Sequence, residues 1–123
     1  MPKEFSRMRR VNEQIRRELA DVIRREGDDP GLSMVSIVGV DVSKDLALAR
    51  VHVTVMGEPE ERARCLALLR QGAGFFRSQL GRRVRLKHIP RLEFLEDTSL
   101  ETGQRVSELI AQARRSDRGD ASE

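Results

Sequence analysis

Two hydrophobic periods follow one another along this chain, and their order restricts the fold more than its composition does. From about Ser6 to Arg25, Met8, Val11, Ile15, Leu19 and Val22 recur at spacings of three and four, with Ile23 beside them. That spacing lines one face of a helix. From Leu48 to Met56 the period becomes two: Ala49, Val51, Val53 and Val55 point one way and Arg50, His52 and Thr54 the other, as in a half-buried strand. Val35 to Val42 is equally rich in β-branched residues, and Ser43-Lys44-Asp45-Leu46 between the two runs holds turn formers, so an antiparallel hairpin is expected. Gly27 and Asp28-Asp29-Pro30-Gly31 end the first helix, because proline cannot continue it. On that helix's outer face, Glu13 with Arg17 and Asp21 with Arg25 are expected to pair at the four-residue spacing.

A second helix is expected from about Glu60 to Gln71, with Pro59 near its first turn, acidic residues at its positive end, and Cys65, Leu66 and Leu69 buried, with Ala63 nearby. Its pattern breaks at Gly72-Ala73-Gly74 and resumes with Phe75, Phe76 and Leu80 up to Gly81. Two glycines this close, each costing about 1 kcal/mol against alanine within a helix, indicate a kink. Arg91 to Glu96 reads as a third strand with Leu92 and Phe94 on one face. Thr98 and Glu101 form a capping box, opening a last helix from about Leu100 to Arg114 that would dock Val106, Leu109, Ile110 and Ala113. The 123 residues make one domain, over 1–114, with 115–123 a polar tail expected to be disordered.

Charge is concentrated around the break. Arg70, Arg77, Arg82, Arg83, Arg85, Lys87 and Arg91 fall in one window without an Asp or Glu, leaving 16 basic against 20 acidic residues elsewhere. Such a cationic stretch suits a polyanion, because each Lys or Arg that meets a phosphate releases condensed counterions. Gly72 and Gly74 allow close backbone approach, and amides after Ala73, at a helix start, could donate to a phosphate. The candidate nucleic-acid-binding residues, for RNA or DNA, are therefore Gly72, Ala73, Gly74, Arg77, Arg82, Arg83, Arg85 and Lys87. Arg7, Arg9 and Arg10, with only Glu4 near them, join the set, while Arg70 and Arg91 flank it. Replacing Arg77, Arg82, Arg83 and Arg85 together is expected to weaken binding and leave stability nearly intact. The chain has no Trp or Tyr, so recognition should rest on RNA shape and backbone more than on stacked bases. Phe76 and Phe94 read as core.

Other classes fit poorly. His52 and His88 are isolated, Cys65 is the only cysteine, and no zinc spacing or phosphate-binding lysine loop exists, so neither metal nor cofactor is expected and the chain does not read as an enzyme. No run approaches a membrane span and no signal peptide is visible, which places the chain in the cytoplasm. A module binding an acidic protein through the same basic face is the competing class, and competition with RNA separates the two.

The element order is that of a type II KH module, an α+β RNA-binding fold of helix, two strands, two helices and a third strand, here with an appended helix. Particular runs narrow this further. Lys3-Glu4-Phe5-Ser6-Arg7 with Arg10-Val11-Asn12, Val42-Ser43-Lys44-Asp45-Leu46-Ala47 with Ala49-Arg50-Val51, Gly74-Phe75-Phe76-Arg77-Ser78-Gln79-Leu80, and Ile89-Pro90-Arg91-Leu92-Glu93-Phe94 ahead of Asp97-Thr98-Ser99 resemble the bacterial ribosome-binding factor A family. The resemblance extends from about Lys3 to Ile110. It implies a non-enzymatic assembly factor that binds the free small (30S) ribosomal subunit, assists late maturation and 5′-end processing of 16S rRNA, and supports growth in the cold. It also implies release with the help of an assembly GTPase, and the chain is expected to act as a monomer. In that family an alanine-x-glycine triplet marks the kink, and here Gly72 replaces the alanine. Gly72→Ala is accordingly expected to be tolerated, and Gly74→Val to be damaging if Gly74 needs a positive φ.

Overall fold

The computed structural model describes residues 3–26, 30–97 and 109–114. Helix α1 spans Lys3–Glu26, followed by a 3-10 turn at Pro30–Met34, strands β1 (Val35–Val42) and β2 (Leu48–Val55), helices α2 (Pro59–Gln71) and α3 (Ala73–Arg83), and strand β3 (Arg91–Glu96). The sheet order is β1-β2-β3. β1 and β2 are antiparallel, as a tight hairpin requires. β3 runs parallel to β2, from Leu48 opposite Arg91 to Val53 opposite Glu96, because the α2–α3 pair carries the chain back to the starting end of β2.

The hairpin closes through side-chain chemistry at Asp45. Its carboxylate accepts from Ser43 Oγ at 2.7 Å and from the Ala47 amide at 3.0 Å, and the Leu46 amide donates to Ser43 O at 2.9 Å. These bonds hold Asp45 below the usual carboxylate range, Ser43 contributing most. They also hold Leu46 at φ 60°, a left-handed geometry that leucine rarely adopts.

Helices α1, α2 and α3 cover one face of the sheet. Ala49, Val51, Val53 and Val55 of β2, with Leu92 and Phe94 of β3, meet Ile15, Leu19 and Val22 of α1, Leu66 and Leu69 of α2, and Phe76 and Leu80 of α3 in one buried cluster. Phe76 and Phe94 stack edge to face, centroids 6.1 Å apart. The other sheet face is polar. Asp41, Arg50 and Glu93 are exposed on it, and His52 Nε2 lies 3.4 Å from Asp41 Oδ2. A register shift between Ile37 and Gly39 marks a bulge in edge strand β1. At the other end of β1, its Val42 amide donates to Asn12 Oδ1 of α1 at 3.0 Å. This is the type II KH-like arrangement.

Two expectations are corrected. Glu13 pairs with Arg16, not Arg17, while Asp21 binds Arg25 at 3.1 Å as expected and Arg24 besides; helical neighbours three apart are as close as those four apart. Leu109, Ile110 and Ala113 of the expected final helix are not docked. Residues 109–114 are helical, yet Leu109 is 64% exposed, Ile110 is 47% exposed and Ala113 is also exposed. Periodicity shows which side chains share a stripe and says nothing of what covers the stripe. Thr98, Glu101, Val106 and the 115–123 tail lie outside the described residues.

Candidate nucleic-acid interface

The break is one residue wide. α2 ends at Gln71 and α3 begins at Ala73, with Gly72 between them at φ −88° and ψ 4°. The Gly72 amide donates to Leu68 O and the Phe76 amide to Gly72 O, both at 2.9 Å. Helical bonding therefore continues on either side, and the carbonyl end of α2 abuts the start of α3, offsetting the positive end expected there.

The two glycines exchange the roles that the sequence suggests. Gly74 lies inside α3, and the only glycine with positive φ among the described residues is Gly57. A Cβ on Gly74 would meet nothing within 4 Å, whereas one on Gly72 would sit 3.0 Å from the Phe76 ring and 3.3 Å from Leu68 O. Phe76 is 3% exposed and held in the core, so it has little room to move. Gly74→Ala is therefore expected to raise the melting temperature, removing a helical glycine worth about 1 kcal/mol. Gly72→Ala should lower it, because overpacking costs about 1–3 kcal/mol against a gain of about 0.4–1 kcal/mol from the stiffer unfolded chain. Thermal unfolding of the two variants side by side checks both signs.

Six of the seven cations in the basic window divide into three groups. Arg83, expected to be an exposed phosphate ligand, is an internal clamp: its guanidinium binds Asp21 and lies 3.6 Å from Glu18, tying the end of α3 to α1. With Arg24, it holds the Asp21 carboxyl below the usual range, while Asp21 raises Arg83 in turn. Removing Arg83 would leave both carboxylates without this partner, so the fourfold arginine replacement would not leave stability intact. The second group is tied to backbone. Arg70 Nε and Nη2 both donate to Phe94 O at 3.2 and 3.1 Å, and Arg77 Nε and Nη2 to Ile89 O at 3.1 and 2.8 Å.

Arg82, Arg85 and Lys87 form the third group. All are exposed at the end of α3 and just beyond it, with no partner among the described residues. These three cations retain their full capacity for an anion.

Arg70 and Arg91 gain importance from the structure. Together with Leu48, Ala73, Leu92, Glu93 and Phe94 they line a groove of about 310 Å³ where the break faces β3. No local signal marks this groove, because it depends on β3 returning parallel to β2. Arg9 lines a different groove with Asn12, Glu13, Arg16 and Val38–Val40 at the β1 edge. Arg7 and Arg10 are exposed on the same turn region of α1. As β1 and β3 flank β2, the groove at Arg9 and the groove at the break lie on opposite edges of the sheet. Asp21 lies about 17 Å along α1 from Arg10. The amino-terminal arginines and the α3 end are thus two separate basic areas.

Among the described residues no His, Cys, Asp and Glu cluster suited to a metal ion is present, and no helix is long and apolar enough to cross a membrane. Cys65 is buried in α2, consistent with a packing role.

A family model described as ribosome-binding factor A matches residues 7–110. Ribosome-binding factor A of Thioalkalivibrio sulfidiphilus is 48% identical over 118 residues, covering 96% of this chain and 92% of that protein. Its counterpart from Halorhodospira halophila is 50% identical over 111 residues, covering 89% and 88%. The crystal structure of ribosome-binding factor A from Thermus thermophilus superposes with a TM-score of 0.65 at 32% identity, over 72% of this chain and 94% of that one. A homology model of the Thermus thermophilus protein, fitted into a cryo-electron microscopy map of a complex of 30S with ribosome-binding factor A, superposes with a TM-score of 0.60 at 33% identity, over 71% and 91%.

Proposed function

Since the chain belongs to the ribosome-binding factor A family, we propose that it binds the free small ribosomal subunit without catalysing a reaction and assists late maturation of 16S rRNA, including 5′-end processing, with its greatest effect in the cold. The observation that carries the contact is the exposed Arg82, Arg85 and Lys87 at the end of α3 and just beyond it. Cations without carboxylate partners attract phosphate without first breaking an ion pair, so counterion release contributes fully to binding. A footprint on folded RNA would reach from these residues past the groove at Ala73 toward Arg7, Arg9 and Arg10. The sheet's open face, where Arg50 and Arg91 alternate with Asp41 and Glu93, is close to neutral and suits RNA less well.

In this reading residues 1–114 act as one cytoplasmic, monomeric RNA-binding domain, and an assembly GTPase helps release it. Cosedimentation tests the central claim. The protein is expected to travel with free small subunits and to be displaced from mature ribosomes, and a strain lacking it should accumulate 16S rRNA with an unprocessed 5′ end at low temperature. Equal binding to large subunits, or normal processing in the cold, would overturn the reading.

A further inference from the structure

The two backbone-tied arginines stand seven residues apart, one on each side of the break. Arg70 is in the last turn of α2 and Arg77 one turn into α3, and each directs two guanidinium N–H groups onto a single carbonyl. The acceptors, Phe94 O and Ile89 O, belong to β3 and to the segment entering it. β3 is an edge strand. In its parallel pairing the Arg91 amide donates to Ala47 O and the Asp97 amide to Val53 O. With this alternation Phe94 turns its peptide to the free edge, where a carbonyl lacks a ladder partner. Between the two acceptors lies Leu92, and opposite it the groove brings Ala73 and β3 together.

We propose that Arg70 and Arg77 are positioning residues that brace the interrupted helix pair against the β3 edge and so set the orientation in which the break and Arg82, Arg85 and Lys87 meet RNA. This rests on the small-subunit reading above. A one-residue break is a natural hinge, and two helices joined only by it would rock about Gly72. A brace on each arm removes that freedom before binding, so the ordering cost does not fall on the complex. The chemistry requires arginine. Its planar fork places Nε and Nη2 on one acceptor, whereas lysine supplies a single point charge that bulk water competes for. The two arginines therefore act through geometry, and the three free cations through charge.

The test compares Arg70→Lys and Arg77→Lys with the parent, measuring affinity for free small subunits over a range of salt and native-state hydrogen exchange in the protein alone. With a brace, both the Arg70 and Arg77 variants bind about three- to ten-fold more weakly, as for the loss of one hydrogen bond of ordinary net strength, with the parent's salt slope. Exchange at the Gly72 and Phe76 amides rises about ten-fold in both, a local opening that leaves the global melting temperature near the parent's. Parental affinity in Arg70→Lys and Arg77→Lys would overturn the proposal. So would Arg70→Gln and Arg77→Gln variants that flatten the slope by about 0.7–0.9 each while lysine restores it, because that is the behaviour of phosphate ligands. Should the parent fail to bind small subunits, the function above falls, and the exchange measurement still decides the brace: unchanged protection at Gly72 and Phe76 in the lysine variants would overturn it.

Discussion

Replacing Arg82, Arg85 and Lys87 together with glutamine is expected to flatten the log-log salt dependence of small-subunit binding by about 2–3, at about 0.7–0.9 for each phosphate no longer neutralised. Between 50 and 200 mM salt the parent should then lose roughly 30-fold more affinity than the variant, which follows from a fourfold change in salt raised to that slope difference. The melting temperature should stay near the parent's, since none of the three holds a partner among the described residues. Arg83→Gln is the internal control with the opposite signature. It removes the tie to Asp21 and Glu18 between α3 and α1, so it should lower the melting temperature and leave the salt slope unchanged. An unchanged slope in the triple variant would move the RNA-binding area to another part of the surface, with the arginines of α1 the next candidates.

Phe94→Ala should be the most destabilising single truncation among the aromatics, by about 3–5 kcal/mol. The ring is 1% exposed at the centre of β3, facing Phe76 edge to face, and β3 with its two arginine contacts closes the core from that side. Because a domain of this kind holds only about 5–15 kcal/mol in total, the variant should sit close to the unfolding transition at growth temperature. Phe75 offers the comparison. It packs against Phe76 at 5.6 Å but is 46% exposed, and its truncation should cost about 1 kcal/mol or less, as at most surface positions. Denaturant midpoints for the two variants, with the m-value checked for constancy, measure the difference. If Phe94→Ala unfolds at the parent's midpoint, the sheet and helices do not share the core described above.

Much of this architecture is legible without coordinates, for identifiable reasons. The three- and four-residue spacing of Ile15, Leu19 and Val22 and the two-residue spacing of Ala49, Val51, Val53 and Val55 each report on a single element, because burial on one side of a helix or strand repeats with that element's own geometry. The turn at Asp45 is equally local, its carboxylate bonding within two residues of itself. The fold family was legible because several such runs occur in a fixed order along the chain. The apolar stripe at Leu109, Ile110 and Ala113 shows the limit of this reasoning, since amphipathic spacing exists there without a surface to receive it.

The basic window shows the same limit at the candidate site. Seven like charges in sequence are interchangeable until each is given neighbours, and those neighbours come from far along the chain. Arg83 meets Asp21, Arg70 reaches Phe94, and Arg77 reaches Ile89. Which glycine tolerates a methyl group was likewise decided by the Phe76 ring packed over Gly72. The elements, their order and the excess of positive charge around one break are properties of the linear chain, because they depend on periodicity and composition over short windows. Which cations are free to meet RNA and which hold the fold is a property of the folded arrangement alone, because a guanidinium's role is set by the carboxylates and carbonyls within hydrogen-bonding distance, and local spacing carries no information about those.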